Sequence, residues 1–148
     1  INEFFAKYPY FPYERTAPFW GEYYRLCRFS PRKKHEAAWA AFRIAVVEDF
    51  GPMFGREKND PVAWGKLCKT VGISPIPESL DDRRKKIMRA HVNLVDMHEC
   101  ARMGKFLKTP TTENLKAYIM MYTICTTKFY PREDAYAVPL LEYLLREI

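Results

Sequence analysis

Apolar and polar positions along this 148-residue chain alternate with a helical period almost throughout, and Pro and Gly punctuate the pattern. Residues 1–7 read as a short helical lead-in. Residues 8–18 mix Tyr8, Tyr10, Phe11 and Tyr13 with Pro9, Pro12 and Pro18, which predicts an ordered, extended clamp over the core. Phe19, Trp20, Tyr23 and Leu26 then fall at helical spacing across residues 19–29. Ser30-Pro31 supplies an N-cap followed by a proline in the first helical position. The helix it starts is predicted to run to about residue 50, with Trp39, Phe42, Val46 and Phe50 as one stripe and Gly51-Pro52 as the stop.

Asp60-Pro61 repeats the start signal for a helix reaching Val71 before Gly72. Ser79, with Asp82 three positions later, is an acidic variant of the capping box and opens a helix that should end near Gly104. Thr111 or Thr112 caps a further helix to about Thr127, although the β-branched and aromatic residues from Tyr118 onward leave a strand as the alternative. Tyr130-Pro131 opens the last segment, where Pro139 leaves a short final helix. The pattern as a whole predicts an all-α fold. We expect a single compact orthogonal helical domain spanning residues 1–148, with about five or six helices and an extended aromatic and Pro-rich N-terminal segment. No repeat or long polar linker divides it, and a chain of this size buries about 68–70% of its unfolded surface.

Composition adds aromatic packing to this picture: 16% of the residues are Phe, Trp or Tyr. The net charge of +6 favours an acidic partner, protein or nucleic acid, but says nothing about fold. Acidic residues are spread through the chain, which favours an ordinary basic surface over a dedicated nucleic-acid site. Cys27, Cys68, Cys100 and Cys125 are isolated and fall in predicted helices, as expected of buried thiols in a reducing, cytoplasmic setting. There is no Asn-x-Ser/Thr acceptor, no visible secretory leader and no apolar run approaching the length of a membrane span.

The richest chemical phrase lies in the segment from Leu80 to Met103, which contains no Gly or Pro. It runs from Arg89 to His98 and includes His91, Asn93 and Asp96. On one continuous helix, Ile87, Leu94, Val95 and Ala101 share an apolar face, and His91 and His98 fall in its middle. Seven residues separate the histidines by about 10 Å along the axis, too far for two ligands of one metal ion. The H-E-x-x-H spacing is absent. Two inward histidines bonded to backbone or to another helix are the favoured reading, with His91, His98 and Asp96 as the acid–base candidates. Arg89, Asn93, Asp96 and Cys100 follow i, i+4, i+7 and i+11, and so line the opposite side as a polar ladder. The segment therefore cannot assemble one compact site alone; partners from another helix must complete each half, or it is a polar lock in a helical core.

Two basic clusters are candidate anion contacts. Arg83, Arg84, Lys85 and Lys86 follow Asp81 and Asp82, which can pair with Lys85 and Lys86 at i, i+4 and so also fit a solvated helical face. Arg32, Lys33 and Lys34 sit near a predicted helix N-terminus, where cations are unfavourable, and this placement suggests an external anion. The aromatics before Arg15 could stack on bases, but the interleaved prolines favour a segment folded on the core. His35 precedes Trp39 by four residues and can pack on its ring. Adjacent Glu133 and Asp134 point about 100° apart on a helix and would not face one substrate. No nucleophile-elbow, phosphate-loop, dinucleotide-binding or EF-hand pattern occurs, and neither a metal site nor a cofactor is expected.

The phrases FFAKYPYFPYERTAPFWGEYYRL, ESLDDRRKKIMRAHVNLVD and KFYPREDAYAVPLLEYLLREI resemble a family of small, uncharacterised fungal proteins. The resemblance implies a fungal source and an intracellular protein. It carries no established activity, so it assigns no site. The first functional expectation is a non-enzymatic interaction module with a basic surface. The alternative is a small RNA-acting or cytotoxic defence-type protein using a basic groove and a histidine; a metal-dependent hydrolase is weaker, because no ligand spacing fits.

Overall fold

Side-chain caps set three of the helix starts among the described residues. A computed structural model describes residues 1–90, 92–107 and 132–147. Among these the architecture is all-helical, with no strand. The elements are α1 (Asn2–Ala6), α2 (Phe19–Phe29), α3 (His35–Phe54), α4 (Pro61–Val71), α5 (Leu80–Arg89), α6 (Leu94–Arg102) and α7 (Pro139–Glu147). Short 3-10 turns occur at Arg32–Lys34 and Arg132–Ala137. The Asp60 side chain accepts from Val62 N at 2.8 Å to cap α4, and Gly72, at φ +81°, ends that helix in the left-handed conformation. Ser79 Oγ accepts from Asp82 N at 3.1 Å to cap α5.

Three boundaries differ from the pattern-based expectation. Ser30 ends α2 instead of starting α3: it is extended, its hydroxyl meets the Tyr10 hydroxyl at 3.1 Å, and its carbonyl accepts from His35 Nε2 at 3.0 Å. Pro31 then precedes the 3-10 turn, and α3 begins at His35. Gly51-Pro52 does not stop α3, which continues to Phe54. Pro52 stands on the exposed side, while Phe50 and Phe54 pack in tilted contact at 4.7 Å in the core and offset the missing backbone hydrogen bond.

The third difference bears on the chemistry. The helix expected from Ser79 to Gly104 is two helices, α5 and α6. Asn93 caps α6, its Oδ1 accepting from Val95 N at 2.9 Å and Asp96 N at 3.3 Å. A side chain that can bond the next turn's backbone competes with continued helix and here starts a new one. The predicted ladder of Arg89, Asn93, Asp96 and Cys100 therefore does not exist as one stripe. The expected helix from 111 to 127, the Tyr130-Pro131 start, Cys125 and His91 lie outside the described residues.

Helix α3 is the axis of the core. Phe42, Val46, Phe50 and Phe54 are buried along it, and α1, α4, α6 and the turn at Arg132–Ala137 pack against it. Arg43 of α3 pairs with Asp134 of that turn at 3.1 Å. The N-terminal segment closes over the aromatic end as expected: Phe11 is buried, and Tyr13 stacks on Phe5 at 4.1 Å. No described helix is long and apolar enough to cross a membrane.

Candidate functional site

Residues of α3 and α6 meet in a buried polar network. His98 is 0% exposed, with its ring 5.1 Å from Phe19, 5.9 Å from Phe50 and 6.2 Å from Phe54. Its Nε2 lies 3.0 Å from Asp49 Oδ2. An ionised carboxylate only accepts, so His98 donates through Nε2. Arg102, one turn further along α6, donates to the same oxygen at 2.7 Å and to Asn2 Oδ1 at 3.0 Å. The Tyr13 hydroxyl donates to Asn2 Oδ1 at 3.1 Å. The backbone nitrogen of Ile1 lies 3.5 Å from Asp49 Oδ1. Asp49 on α3 thus holds Ile1 and two residues of α6 directly, and Arg102 carries the network on to Asn2 of α1 and Tyr13 of the clamp.

The electrostatics agree with a fixed charge state. Burial alone would raise the Asp49 pKa, but the hydrogen bonds from His98 and Arg102 hold it well below the usual carboxylate range. Burial pushes the His98 pKa down, and the Arg102 charge adds to this against the opposing pull of Asp49. The network is therefore a carboxylate and a guanidinium bridged to a neutral imidazole. Phenylalanine rings surround that imidazole, and its Nε2 proton is committed to Asp49.

The neighbouring Glu99 is also buried, at 4% exposed, and its Oε1 accepts from Trp20 N at 3.0 Å. This long-range carboxylate acts at the start of α2, where the helix dipole favours a negative charge. Asp96, half-buried in the first turn of α6, lies on a different side from His98. Together these contacts make α6 a strut whose polar side chains hold other helices.

The basic residues named from the sequence divide sharply by environment. Arg83 donates to the carbonyls of Pro77 and Pro61, both at 2.6 Å. Arg84 donates to the Lys58 carbonyl at 2.8 Å and to Asn59 Oδ1 at 2.7 Å, and lies 5.6 Å from the Trp64 ring centre and 5.7 Å from that of Tyr143. Arg84 thus fastens α5 to the loop before α4, and Arg83 fastens it to the first residue of α4 and to the connector at Pro77. Lys85, Lys86 and Arg89 are exposed. The acidic pairings fall at i, i+3, Arg84 with Asp81 at 3.5 Å and Lys85 with Asp82 at 3.9 Å, in place of the expected i, i+4 pairs.

Arg32, Lys33 and Lys34 are all exposed, and among the described residues no carboxylate pairs with them. They directly precede His35, which lines an open trough of about 520 Å³ between α2 and the first turn of α3. Tyr23, Tyr24, Cys27, His35, Glu36 and Trp39 line it. Trp39 packs 5.4 Å from both Trp20 and Tyr23, so the trough rests on the aromatic core. Burial beside the Cys27 thiol raises the Tyr23 pKa strongly, keeping that phenol protonated.

Reasoning from the sequence singled out neither Asp49 nor the trough. Asp49 had one visible signal: it is an acid directly before the core residue Phe50 in a largely apolar stretch. His98 and Arg102 had another, the i, i+4 spacing that puts both on one side of a helix. No cluster of three or more His, Cys, Asp or Glu among the described residues could hold a metal ion. Comparison with protein-family models, curated proteins and solved structures finds no match for this chain.

Proposed function

We propose that this chain is a non-enzymatic interaction module that takes an acidic partner on its basic surface. The observation that supports this most is the environment of His98. It is fully enclosed, bonded to Asp49 and flanked by three Phe rings, so a substrate cannot reach its imidazole without opening the core. The cations at residues 32–34, which pair with no carboxylate among the described residues, supply the basic surface. The unbridged thiols of Cys27 and Cys68 favour a cytoplasmic setting, in line with the intracellular fungal family that the sequence resembles.

A second reading, an RNA-acting protein, draws on His35, which is half-exposed in the trough beside Lys33 and Lys34. Its Nε2 donates to the Ser30 carbonyl, which suits a structural role at the α2–α3 junction. Incubating the protein with single-stranded and duplex RNA at low salt separates the readings. The interaction-module reading expects no cleavage by wild type, His35→Gln or His91→Gln. Cleavage by wild type that either substitution abolishes, in a protein that still folds, replaces it with the RNA-acting reading.

A further inference from the structure

We propose that the trough between α2 and the start of α3 docks a short acidic peptide segment of a protein partner. An aromatic or aliphatic side chain of that segment seats against Tyr23, Cys27 and Trp39, and its carboxylates lie on Arg32, Lys33 and Lys34. The proposal rests on the reading of the chain as an interaction module, and gives that module a place and a ligand class.

Charge complementarity selects the occupant. Arg28, Arg32, Lys33 and Lys34 are exposed within seven residues of chain, and no carboxylate among the described residues pairs with them. Like charges this close repel, and a bound anion relieves that repulsion. The adjoining surface is apolar: Phe29 is 52% exposed and Tyr10 is 54% exposed. Tyr10 meets Ser30, and Ser30 meets His35, so the Tyr10 ring adjoins the His35 side of the trough. Apolar contact beside a concentrated positive end matches a peptide with one bulky side chain next to several Asp or Glu residues.

Two observations favour a peptide over a nucleic acid. Glu36 forms part of the wall. A phosphodiester backbone brings negative charge and no N–H donors to that carboxylate, whereas an extended peptide brings N–H groups that it can accept. The cations also cluster in the run just before His35 and none lines the trough itself, while a single strand calls for positive charge tracking along the whole groove. Trp39 is packed 5.4 Å from both Trp20 and Tyr23 and 6.2 Å from Phe42, so it serves better as a wall for a side chain than as a base platform.

Fluorescence anisotropy with labelled peptides of about twelve residues tests this. Each peptide carries one central Phe, Trp or Leu among Asp and Glu residues, and its control replaces the acids by Asn and Gln. A labelled single-stranded RNA serves as the rival probe. We expect the acidic peptides to bind, the neutral controls not to, and Lys33→Glu/Lys34→Glu to weaken binding by about 10-fold or more. Trp39→Ala should weaken it similarly. Should that variant fail to fold, the exposed charge-reversal pair decides the matter. Peptide binding unchanged by the charge reversal, or lost only in Lys85→Glu/Lys86→Glu, overturns the placement in the trough and leaves the interaction-module reading standing. Binding of RNA without peptide, strengthened by Glu36→Lys, overturns both, as does absence of binding by every probe.

Discussion

Replacing Asp49 by Asn removes one negative charge at nearly constant volume and leaves Arg102 and His98 facing an amide. The Arg102–Asp49 contact at 2.7 Å is a charge-assisted hydrogen bond, a class that contributes about 1.5–3 kcal/mol. The bond from His98, made inside the core, adds to this, and breaking a buried pair costs about 3–5 kcal/mol when solvent is excluded. Here the Asp49 side chain is 20% exposed and that of Arg102 13%, so water moderates the loss. We expect Asp49→Asn to destabilise the protein by about 2–3 kcal/mol, or roughly 5–10 °C in Tm for a chain of this size. Urea and thermal unfolding near neutral pH measure it.

The same network sets a pH dependence with a definite sign. His98 is held below its ordinary value of 6.5, so the unfolded chain binds the proton first as pH falls. Its contribution is complete above that value and diminishes as pH drops below it. Asp49, held below its ordinary 3.8, adds a second loss as pH falls below that value. Both act in the same direction. His98→Gln should flatten the first loss, and Asp49→Asn the second. A Tm for Asp49→Asn within about 2 °C of wild type, together with an unchanged pH profile, would refute the claim that this carboxylate anchors the network joining α3 and α6.

Glu99→Ala should cost about 1–3 kcal/mol by removing the acceptor for Trp20 N at the start of α2; Glu99→Gln, which keeps an acceptor oxygen, should recover much of it in urea melts. Arg84→Ala should destabilise by about 1–2 kcal/mol because it loses its bonds to Lys58 and Asn59 and its contact with the Trp64 ring, whereas exposed Lys86→Ala should stay within about 0.5 kcal/mol. Equal effects would place Arg84 outside the structural framework. Gly55→Ala should lower stability by more than about 1 kcal/mol, since Gly55 has φ +119° and an added Cβ would meet that of Ala63 at 2.8 Å. An unchanged urea midpoint would contradict that strain.

Much of the helical architecture was legible because period and caps agree locally. Asp60, Gly72 and Ser79 do at their termini what their side chains or backbone freedom lead one to expect. The exceptions arise where distant contacts decide. Ser30 is drawn into the end of α2 by Tyr10 and His35, and Phe54 extends α3 past a proline because the core rewards the extra turn. Asn93 was visible as a polar residue in a helical pattern, yet nothing nearby marked it as a cap in place of a ladder rung. The candidate chemistry followed the same rule. The helical period pointed to an inward His98, while its partner Asp49 lies forty-nine residues earlier and becomes recognisable only once α3 and α6 are packed. The trough joins two segments that each looked ordinary: an aromatic stripe on α2 and a basic run before α3.

The three indole groups give the most direct test of where a partner binds. Trp39 lines the trough, Trp20 lies buried behind it, and Trp64 sits under Arg84 away from both. Their side-chain N–H signals can be followed by NMR while an acidic peptide bearing one aromatic residue is added. The account predicts that the Trp39 signal shifts and saturates, that Trp64 holds still, and that Lys33→Glu/Lys34→Glu abolishes the response. Movement of the Trp64 signal with Trp39 unchanged would place binding on the α5 face and contradict it.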